Sequence, residues 1–187
     1  MSLRIIAGLH RGRRIVAPAG LATRPTSDRA REALFGILEH GDPPLRGCRF
    51  LDLFAGSGAA ALEAVSRGAA LALCIDQASA AVAAIKANIE TLGETARVTV
   101  LRADVSRLGQ AAKPFDIVFL DPPYGSGFAA PALANVAAGG WLAPGALVVA
   151  EVATRDRFET PPGWALEDDR RYGAARLLFL RPELDAD

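Results

Sequence analysis

The stretch FLDLFAGSGAAALEA, residues 50–64, has the pattern of a buried strand, a glycine-rich turn and a helix. The apolar side chains at positions 50, 51 and 53 predict a short buried strand. Gly56 and Gly58 let the turn take positive φ or approach a ligand closely. The helix predicted after Gly58 would direct its free N–H groups at the turn, where they can bind an anion. This order of elements is typical of nucleotide-binding α/β proteins.

Strand and helix patterns alternate along most of the chain. Strand-like segments fall near residues 3–7, 13–17, 48–53, 71–76, 97–101, 116–120, 146–151 and 175–181. Helical patterns separate most of them from residue 26 onward, which predicts an α/β fold with a mostly parallel, Rossmann-like sheet. Residues 155–162 interrupt the alternation, so we expect the last strands to form an antiparallel hairpin at the sheet edge.

The length of 187 residues suits one sizeable core with a small appendage. Residues 1–40 are expected to form an N-terminal extension, a small β-hairpin followed by a helix, outside the main sheet. Residues 45–183 are expected to form the α/β domain. Pro25, Thr26, Ser27 and Asp28 are typical helix-start residues, so the helix of the extension should begin there.

Positive charge is concentrated in the first 31 residues. Seven of the 21 basic residues lie there, against one of the 21 acidic residues, although the whole chain is neutral. The seven are Arg4, Arg11, Arg13, Arg14, Arg24, Arg29 and Arg31. A basic arm on an acidic body predicts contact with phosphates at one end of the molecule, and a merely solvated surface is the alternative.

Several classes of protein are disfavoured by the composition. No apolar run approaches the roughly 20 residues of a membrane helix, and no signal-peptide pattern opens the chain. An organellar transit peptide is a less favoured reading of the arginine-rich start. Cys48 and Cys74 lack metal-ligand spacing and are expected to be buried thiols in a reducing compartment. We therefore expect a cytoplasmic protein without a metal.

The glycine-rich turn predicts an adenosyl ligand. Gly56 and Gly58, followed by Ala61, satisfy the permissive dinucleotide fingerprint, which fits both NAD and S-adenosylmethionine. Asp52 favours the second cofactor, because a carboxylate beside this turn would suit an ammonium group.

Two further acids follow the next strands. Asp76 closes the second strand, where a carboxylate can accept hydrogen bonds from ribose hydroxyls. Asp104 follows the third strand, near the expected adenine edge. Taken singly, Asp52 and Asp104 could each be an ordinary turn-capping aspartate.

A second motif follows the strand FDIVFL, residues 115–120, with the residues DPPY at 121–124. Asp121 and the carbonyl of Pro122 could accept the N–H groups of an exocyclic amine and direct its lone pair at a methyl donor. Tyr124 could stack on an extruded base, worth ~1–3 kcal/mol. Catalysis would then consist of positioning and polar preorganisation, without a metal or a covalent intermediate. The alternative is a plain strand terminator.

The motifs together resemble known families. DLFAGSG at 52–58 and DPPY at 121–124 resemble the class I amino-methyltransferases that use S-adenosylmethionine. RIIAGLHRGRR at 4–14 and RPTSDRAREALF at 24–35 are similar to the bacterial 16S rRNA (guanine(966)-N2)-methyltransferase family. The resemblance implies methyl transfer to guanine N2 in the 16S rRNA of the small ribosomal subunit or an assembly intermediate. The residues themselves do not decide which guanine is modified.

The resemblance also implies roles for individual residues. The implied cofactor-binding residues are Asp52, Phe54, Gly56, Gly58, Asp76, Asp104 and Thr26. The implied catalytic residues are Asp121, Pro122 and Tyr124. The implied RNA-binding residues are Arg11, Arg13, Arg14 and Arg24. Asp76 stands where the family pattern has glutamate, and Glu151 is interpreted as a solvated acid.

Other functions stay open at this point. DPPY is shared with DNA adenine-N6 and cytosine-N4 methyltransferases, although no inserted base-reading region is visible. An NAD-dependent oxidoreductase would need a proton relay, whereas His10 and His40 are expected at the surface. An RNA-binding module without catalysis would not need Asp121. We expect a monomer without a membrane or metal partner.

Overall fold

The centre of the fold is a seven-stranded sheet with the strand order β3-β2-β1-β4-β5-β7-β6. The computed structural model describes residues 3–19, 28–123 and 127–183. Its strands are β1 Arg49–Leu53, β2 Leu71–Asp76, β3 Val98–Arg102, β4 Phe115–Leu120, β5 Leu142–Ala153, β6 Trp164–Tyr172 and β7 Ala175–Pro182. Strands β1 to β5 pair in parallel, and β7 is antiparallel to both β5 and β6. The predicted Rossmann-like α/β fold is confirmed.

Within the described residues, four α-helices connect or precede these strands. They are α1 Asp28–Leu38, α2 Ala59–Ser66, α3 Ser79–Leu92 and α4 Ala129–Ala138. Short 3₁₀ helices cover Gly8–His10 and Val105–Arg107. Helical patterns were expected between the strand-like segments, and α2 and α3 lie there, between β1 and β2 and between β2 and β3. Helix α3 stops at Gly93, which has the left-handed conformation.

The sheet is buried on both faces, which explains the continuous apolar runs in its central strands. On β4, Ile117 and Phe119 point into a core that contains α1, α2, α3 and the N-terminal arm. Val118 and Leu120 point into a second core with α4 and Trp141. The two cores therefore hold the carboxyl ends of the central strands in fixed positions.

The expected antiparallel hairpin at the sheet edge consists of β6 and β7. Sequence reasoning gave no strand at β6, because its sequence WALEDDRRY lacks an apolar run. An edge strand needs only one covered side, and its charges can pair across the hairpin. Asp169 pairs with Arg176, and Glu167 pairs with Arg181.

The N-terminal arm, residues 3–19, forms the predicted hairpin pairing around an antiparallel bridge between Arg4 and Arg14. The Ile5 amide donates to the Arg13 carbonyl at 2.9 Å, and the Ile15 amide donates to the Leu3 carbonyl at 3.0 Å. Leu3, Ile5 and Ile15 are buried in the first core. The division of the chain into residues 1–40 and 45–183 stays a prediction.

The longest α-helix in the described residues is α3, which has 14 residues. A bilayer crossing needs about 20 apolar residues in one helix. Within residues 3–19, 28–123 and 127–183, no helix therefore meets the length and hydropathy of a membrane span.

Candidate active site

The loop after β1 turns sharply at the carboxyl edge of the sheet. Phe54, Gly56 and Gly58 all have positive φ, at 60°, 54° and 75°. A Cβ on Gly58 would lie 3.3 Å from the Ile85 side chain, so a side chain there would be both strained and crowded. The space beside Gly56 is open, since its nearest neighbour would lie 3.9 Å away. A ligand can therefore approach the backbone at Gly56.

Asp76 links this loop to the end of β2. Its Oδ2 accepts from the Gly56 amide at 2.9 Å, and its Oδ1 accepts from the Ala78 amide at 2.8 Å. The carboxylate is half-buried and keeps further lone pairs. It stands beside the open side of the loop, where the sequence predicted a ribose acceptor, and that role stays a prediction.

Asp52 lies beneath the loop and is almost fully buried, with 2% of its surface exposed. Its Oδ2 accepts from the Ala61 amide at 3.1 Å, in the first turn of α2. Burial raises its pKa to about 8, the Ala61 hydrogen bond lowers it, and the nearby Asp76 charge raises it. Asp52 thus supports the helix start, and contact with an ammonium group stays a prediction.

Asp104 follows β3 and is exposed. Its Oδ1 accepts from the Ser106 hydroxyl at 2.7 Å and from the Ser106 amide at 2.9 Å. These hydrogen bonds hold the pKa of Asp104 below its usual value. The side chain therefore caps the short helix Val105–Arg107, and the predicted adenine contact stays a prediction.

The second motif lies next to the glycine-rich loop. Leu53 and Leu120 pair where β1 and β4 end, and the Asp121 amide donates to the Leu53 carbonyl at 3.4 Å. Asp121 is half-buried, and Pro122 is buried. The fold thus brings the start of DPPY directly beside the loop that begins at Phe54. The predicted site residues Tyr124, Thr26 and Arg24 lie outside the described residues.

A cleft of about 540 Å³ opens beside Pro122. Its walls are residues 122–123, 127–130, 151–152 and 155–159. Phe128 connects the cleft to the glycine-rich loop, because its ring stacks on that of Phe54 with 6.2 Å between ring centres. Sequence reasoning missed the wall at 155–159, since this segment was interpreted only as a break between strands.

Two sequence-based interpretations are wrong. Glu151 is not solvated; it lies at the end of β5, is 1% exposed and lines the cleft. His10 is buried, because the arm packs on the end of α3. The Nε2 atom of His10 lies 2.5 Å from Glu94 Oε1 there. Arg97 also donates to Glu94. His40 is exposed, as expected.

The arm is fastened to α2 by side chains that sequence reasoning did not select. Glu63 is fully buried and accepts from the amides of Ile6 at 2.7 Å and Ala7 at 2.9 Å. Arg67 donates to the same carboxylate at 2.7 Å. The available signal was a single acid inside an alanine-rich, otherwise apolar helix. Such a position needs a partner, which the arm supplies.

The predicted phosphate-binding arginines differ in their surroundings. Arg11, Arg13 and Arg14 are exposed, but the Arg13 guanidinium also donates to the Thr91 carbonyl at 2.6 Å. Arg31, which contributed to the basic character of the arm, is buried and donates to the Arg4 carbonyl at 2.6 Å. Burial lowers the pKa of Arg31. Arg31 is therefore a structural residue and cannot contact phosphate in this conformation.

Comparison with known proteins decides the family. Residues 3–181 match the family described as Conserved hypothetical protein 95. The chain is 39% identical to ribosomal RNA small subunit methyltransferase D of Escherichia coli K12, with 99% of this chain and 94% of that protein covered. It is 35% identical to the Haemophilus influenzae protein of the same name, with 91% and 89% covered. The chain belongs to the ribosomal RNA small subunit methyltransferase D family.

Solved structures support the same family assignment. The Escherichia coli protein yhhF superposes with a TM-score of 0.82 at 35% identity, over 98% of this chain and 99% of that chain. The Thermus thermophilus protein TTHA0928 superposes with a TM-score of 0.76 at 33% identity, over 95% and 98%. Like other members of the ribosomal RNA small subunit methyltransferase D family, the chain is thus a methyltransferase by sequence and by fold.

Proposed function

We propose that the protein transfers a methyl group from S-adenosylmethionine to the exocyclic N2 of a guanine in the 16S rRNA of the small ribosomal subunit. One observation carries this proposal: Asp121 lies directly beside the glycine-rich loop, through its hydrogen bond to the Leu53 carbonyl. An amine acceptor and a cofactor loop therefore share one edge of the sheet. The names of the curated relatives support ribosomal RNA as the substrate.

The residues at the loop fit S-adenosylmethionine. The open space at Gly56 allows the adenosyl group to approach the backbone, and Asp76 has lone pairs left for ribose hydroxyls. Asp52 and Asp76 make the pocket acidic when ionised, which suits a cationic ligand. When bound, the cofactor supplies an electrophilic methyl group on a sulfonium centre.

Asp121 and Pro122 would orient the attacking amine. The N2 lone pair of guanine is delocalised into the ring, which makes the amine a weak nucleophile. Hydrogen bonds from the two N–H groups to the Asp121 carboxylate and the Pro122 carbonyl would favour a tetrahedral nitrogen with its lone pair toward the methyl group. This is catalysis by positioning and preorganised polar groups.

The cleft beside Pro122 would receive the extruded guanine. Its volume of about 540 Å³ leaves room for a base and part of its ribose phosphate. Phe128 and Phe158 provide aromatic surface in its wall, in addition to the predicted stacking on Tyr124. Stacking would offset the few kcal/mol that base extrusion costs.

The arm would hold the RNA outside the cleft. Arg11, Arg13 and Arg14 are exposed and can contact phosphates. We expect the enzyme to act as a monomer in the cytoplasm. Its substrate would be the assembled subunit or an assembly intermediate, because so small a chain has little surface of its own for target recognition.

The direct test is transfer of labelled methyl from S-adenosylmethionine to small ribosomal subunits from a strain that lacks the enzyme. We expect the label in N2-methylguanine after digestion of the RNA. Label in adenine or cytosine would show that the enzyme methylates a base other than guanine. Label in duplex DNA, with none in RNA, would favour the DNA amino-methyltransferases.

The role of Asp121 is tested by Asp121→Ala and the isosteric Asp121→Asn. We expect kcat to fall by about 10²–10³-fold in the alanine variant, since one preorganised polar group is removed. Affinity for the small subunit should stay within about twofold, measured by filter binding. Transfer at the wild-type rate by Asp121→Ala would contradict the assignment.

A further inference from the structure

Asn88 of α3 joins the N-terminal arm to the glycine-rich loop. Its Oδ1 accepts from the Val16 amide at 2.8 Å, and its Nδ2 donates to the Val16 carbonyl at 2.9 Å. The same Nδ2 donates to the Ser57 carbonyl at 2.9 Å. Ser57 lies between Gly56 and Gly58. One side chain thus holds the arm and the loop at the same time.

Asn88 is buried, which limits the access of water to its hydrogen bonds. The side chain is 1% exposed, so water cannot replace its partners without a local rearrangement. An amide is suited to this place because it offers an acceptor and two donors on one rigid plane. A shorter or apolar side chain would remove these part-buried hydrogen bonds and leave backbone groups of both segments without this partner, which is costly where water reaches them poorly.

The arm itself is closely fitted to α2 on the other side. A Cβ on Gly8 would lie 2.0 Å from the Ser66 carbonyl oxygen, and φ at Gly8 is +78°. The Ser66 hydroxyl donates to the Ala7 carbonyl at 2.6 Å and accepts from the His10 amide at 3.0 Å. A substitution at Gly8 should therefore lift the arm without touching the cofactor loop.

We propose that the docked arm is a structural part of the cofactor site, and that Asn88 is the positioning residue through which its docking fixes the loop at Ser57. The arm then contributes to cofactor affinity even in the absence of RNA. This contribution is separate from any binding of phosphate by the arginines of the arm. The inference rests on the proposed function only in assigning the adenosyl ligand to this loop.

A double-mutant cycle tests the inference. The dissociation constant of S-adenosylhomocysteine is measured by calorimetry, without RNA, for the wild type, Asn88→Ala, Gly8→Ala and the double variant. We expect each single variant to bind about 10-fold more weakly. The double variant should bind no more weakly than the weaker single variant, because both changes remove the same support. In turnover, KM for S-adenosylmethionine should rise while kcat at saturating cofactor changes little.

Asn135→Ala is the matched control. The Asn135 amide also donates to two backbone carbonyls, those of Ser106 and Pro131, but it lies on α4, and both of these partners lie outside the arm. Asn135→Ala should change the affinity for S-adenosylhomocysteine by less than about twofold, whether it is added to the wild type or to Gly8→Ala. Should Asn88→Ala not fold, Asn88→Asp enters the same cycle: it keeps the acceptor for the Val16 amide and removes the donor to the Val16 and Ser57 carbonyls.

The outcomes separate the inference from the proposed function. Wild-type affinity in Gly8→Ala, or affinity losses that multiply in the double variant, would overturn the inference while methyl transfer by the wild type leaves the proposed function intact. Absence of S-adenosylhomocysteine binding and of methyl transfer in the wild type would instead overturn the proposed function. Non-additive losses with an unaffected Asn135→Ala would support the inference.

Discussion

Asp52 shows how burial gives a single residue an unusual charge state. The carboxyl group lies under the glycine-rich loop, and its pKa rises to about 8 because of burial, well above its ordinary value of 3.8. The Ala61 amide offsets only part of the cost of desolvation. In the protein without ligand, Asp52 is therefore mostly protonated at neutral pH, and a cation in the pocket would favour its ionised form.

The raised pKa of Asp52 predicts a specific pH dependence of stability. Between about pH 4 and pH 8, Asp52 keeps its proton in the folded protein and loses it in the unfolded chain. The stability that comes from protonated Asp52 is therefore fully present below about pH 4 and is lost as the pH rises through about 8. Relative to Asp52→Asn, the wild type should lose stability from pH 5 to pH 8.5. Urea unfolding of both proteins at the two pH values measures the difference, and parallel curves would contradict the prediction.

At the scale of elements, α2 has two functions. Its first turn follows the glycine-rich loop, and its second turn carries Glu63, which holds the arm. The helix is too short to be stable alone, so packing against β1 and β2 and the hydrogen bonds to the arm keep it in place. Substitutions on the side of α2 that faces the arm should therefore lower the free energy of unfolding.

Glu63→Ala should destabilise the protein by roughly 3–5 kcal/mol, since it leaves the part-buried amides of Ile6 and Ala7 and the Nε–H of Arg67 without their acceptor. Glu63→Gln should cost less, because one acceptor remains. Urea unfolding measures both. The exposed Glu90 on α3 provides a control, and Glu90→Ala should change stability by less than about 0.5 kcal/mol.

The exposed arginines of the arm should affect RNA affinity alone. Replacing Arg11 and Arg14 with alanine should weaken subunit binding and reduce the slope of log affinity against log salt by roughly 0.7–0.9 for each phosphate that the arm no longer neutralises. Affinity for S-adenosylhomocysteine should be unchanged. Arg170 and Arg171 on β6 are exposed basic residues outside the arm, and their replacement should leave the slope as it is.

At the scale of the whole molecule, the two halves of the sheet have different tasks. The ends of β1, β2 and β3 carry the predicted cofactor residues, whereas the ends of β4 and β5 border the cleft. Asp121 lies at the boundary, where β4 follows β1 in the sheet. The proposed reaction would then take place where the two halves meet, and the cores on both faces keep the spacing fixed.

The two cysteines should report on global unfolding. Cys48 and Cys74 are buried in the first core, and burial raises the pKa of Cys48 to about 12 and that of Cys74 well above its usual value. Neither thiol should react with a dithionitrobenzoate reagent at pH 8 until the protein unfolds. Both should react in denaturant. Rapid labelling of one thiol in the native protein would show local opening of this core.

Local patterns in the sequence determined much of this protein. The apolar runs and their spacing gave the α/β class and the parallel strands, because strands buried on both faces must be apolar along their length. The glycines at 56 and 58 and the acids at 52, 76 and 121 all lie at the carboxyl edge, because parallel strands end on the same side of a sheet. Their chemical roles remain predictions.

Only the tertiary structure decided which distant residues meet. The buried positions of His10, Glu63 and Asn88 result from the arm packing on α2 and α3. The apolar neighbours of Glu63 in the sequence indicate that it is buried, but not that the arm supplies its partners. The cleft wall at 155–159 and the burial of Glu151 depend in the same way on how β5 and α4 pack. Local sequence records propensity and periodicity, whereas burial and long-range hydrogen bonds depend on the final packing of the whole chain.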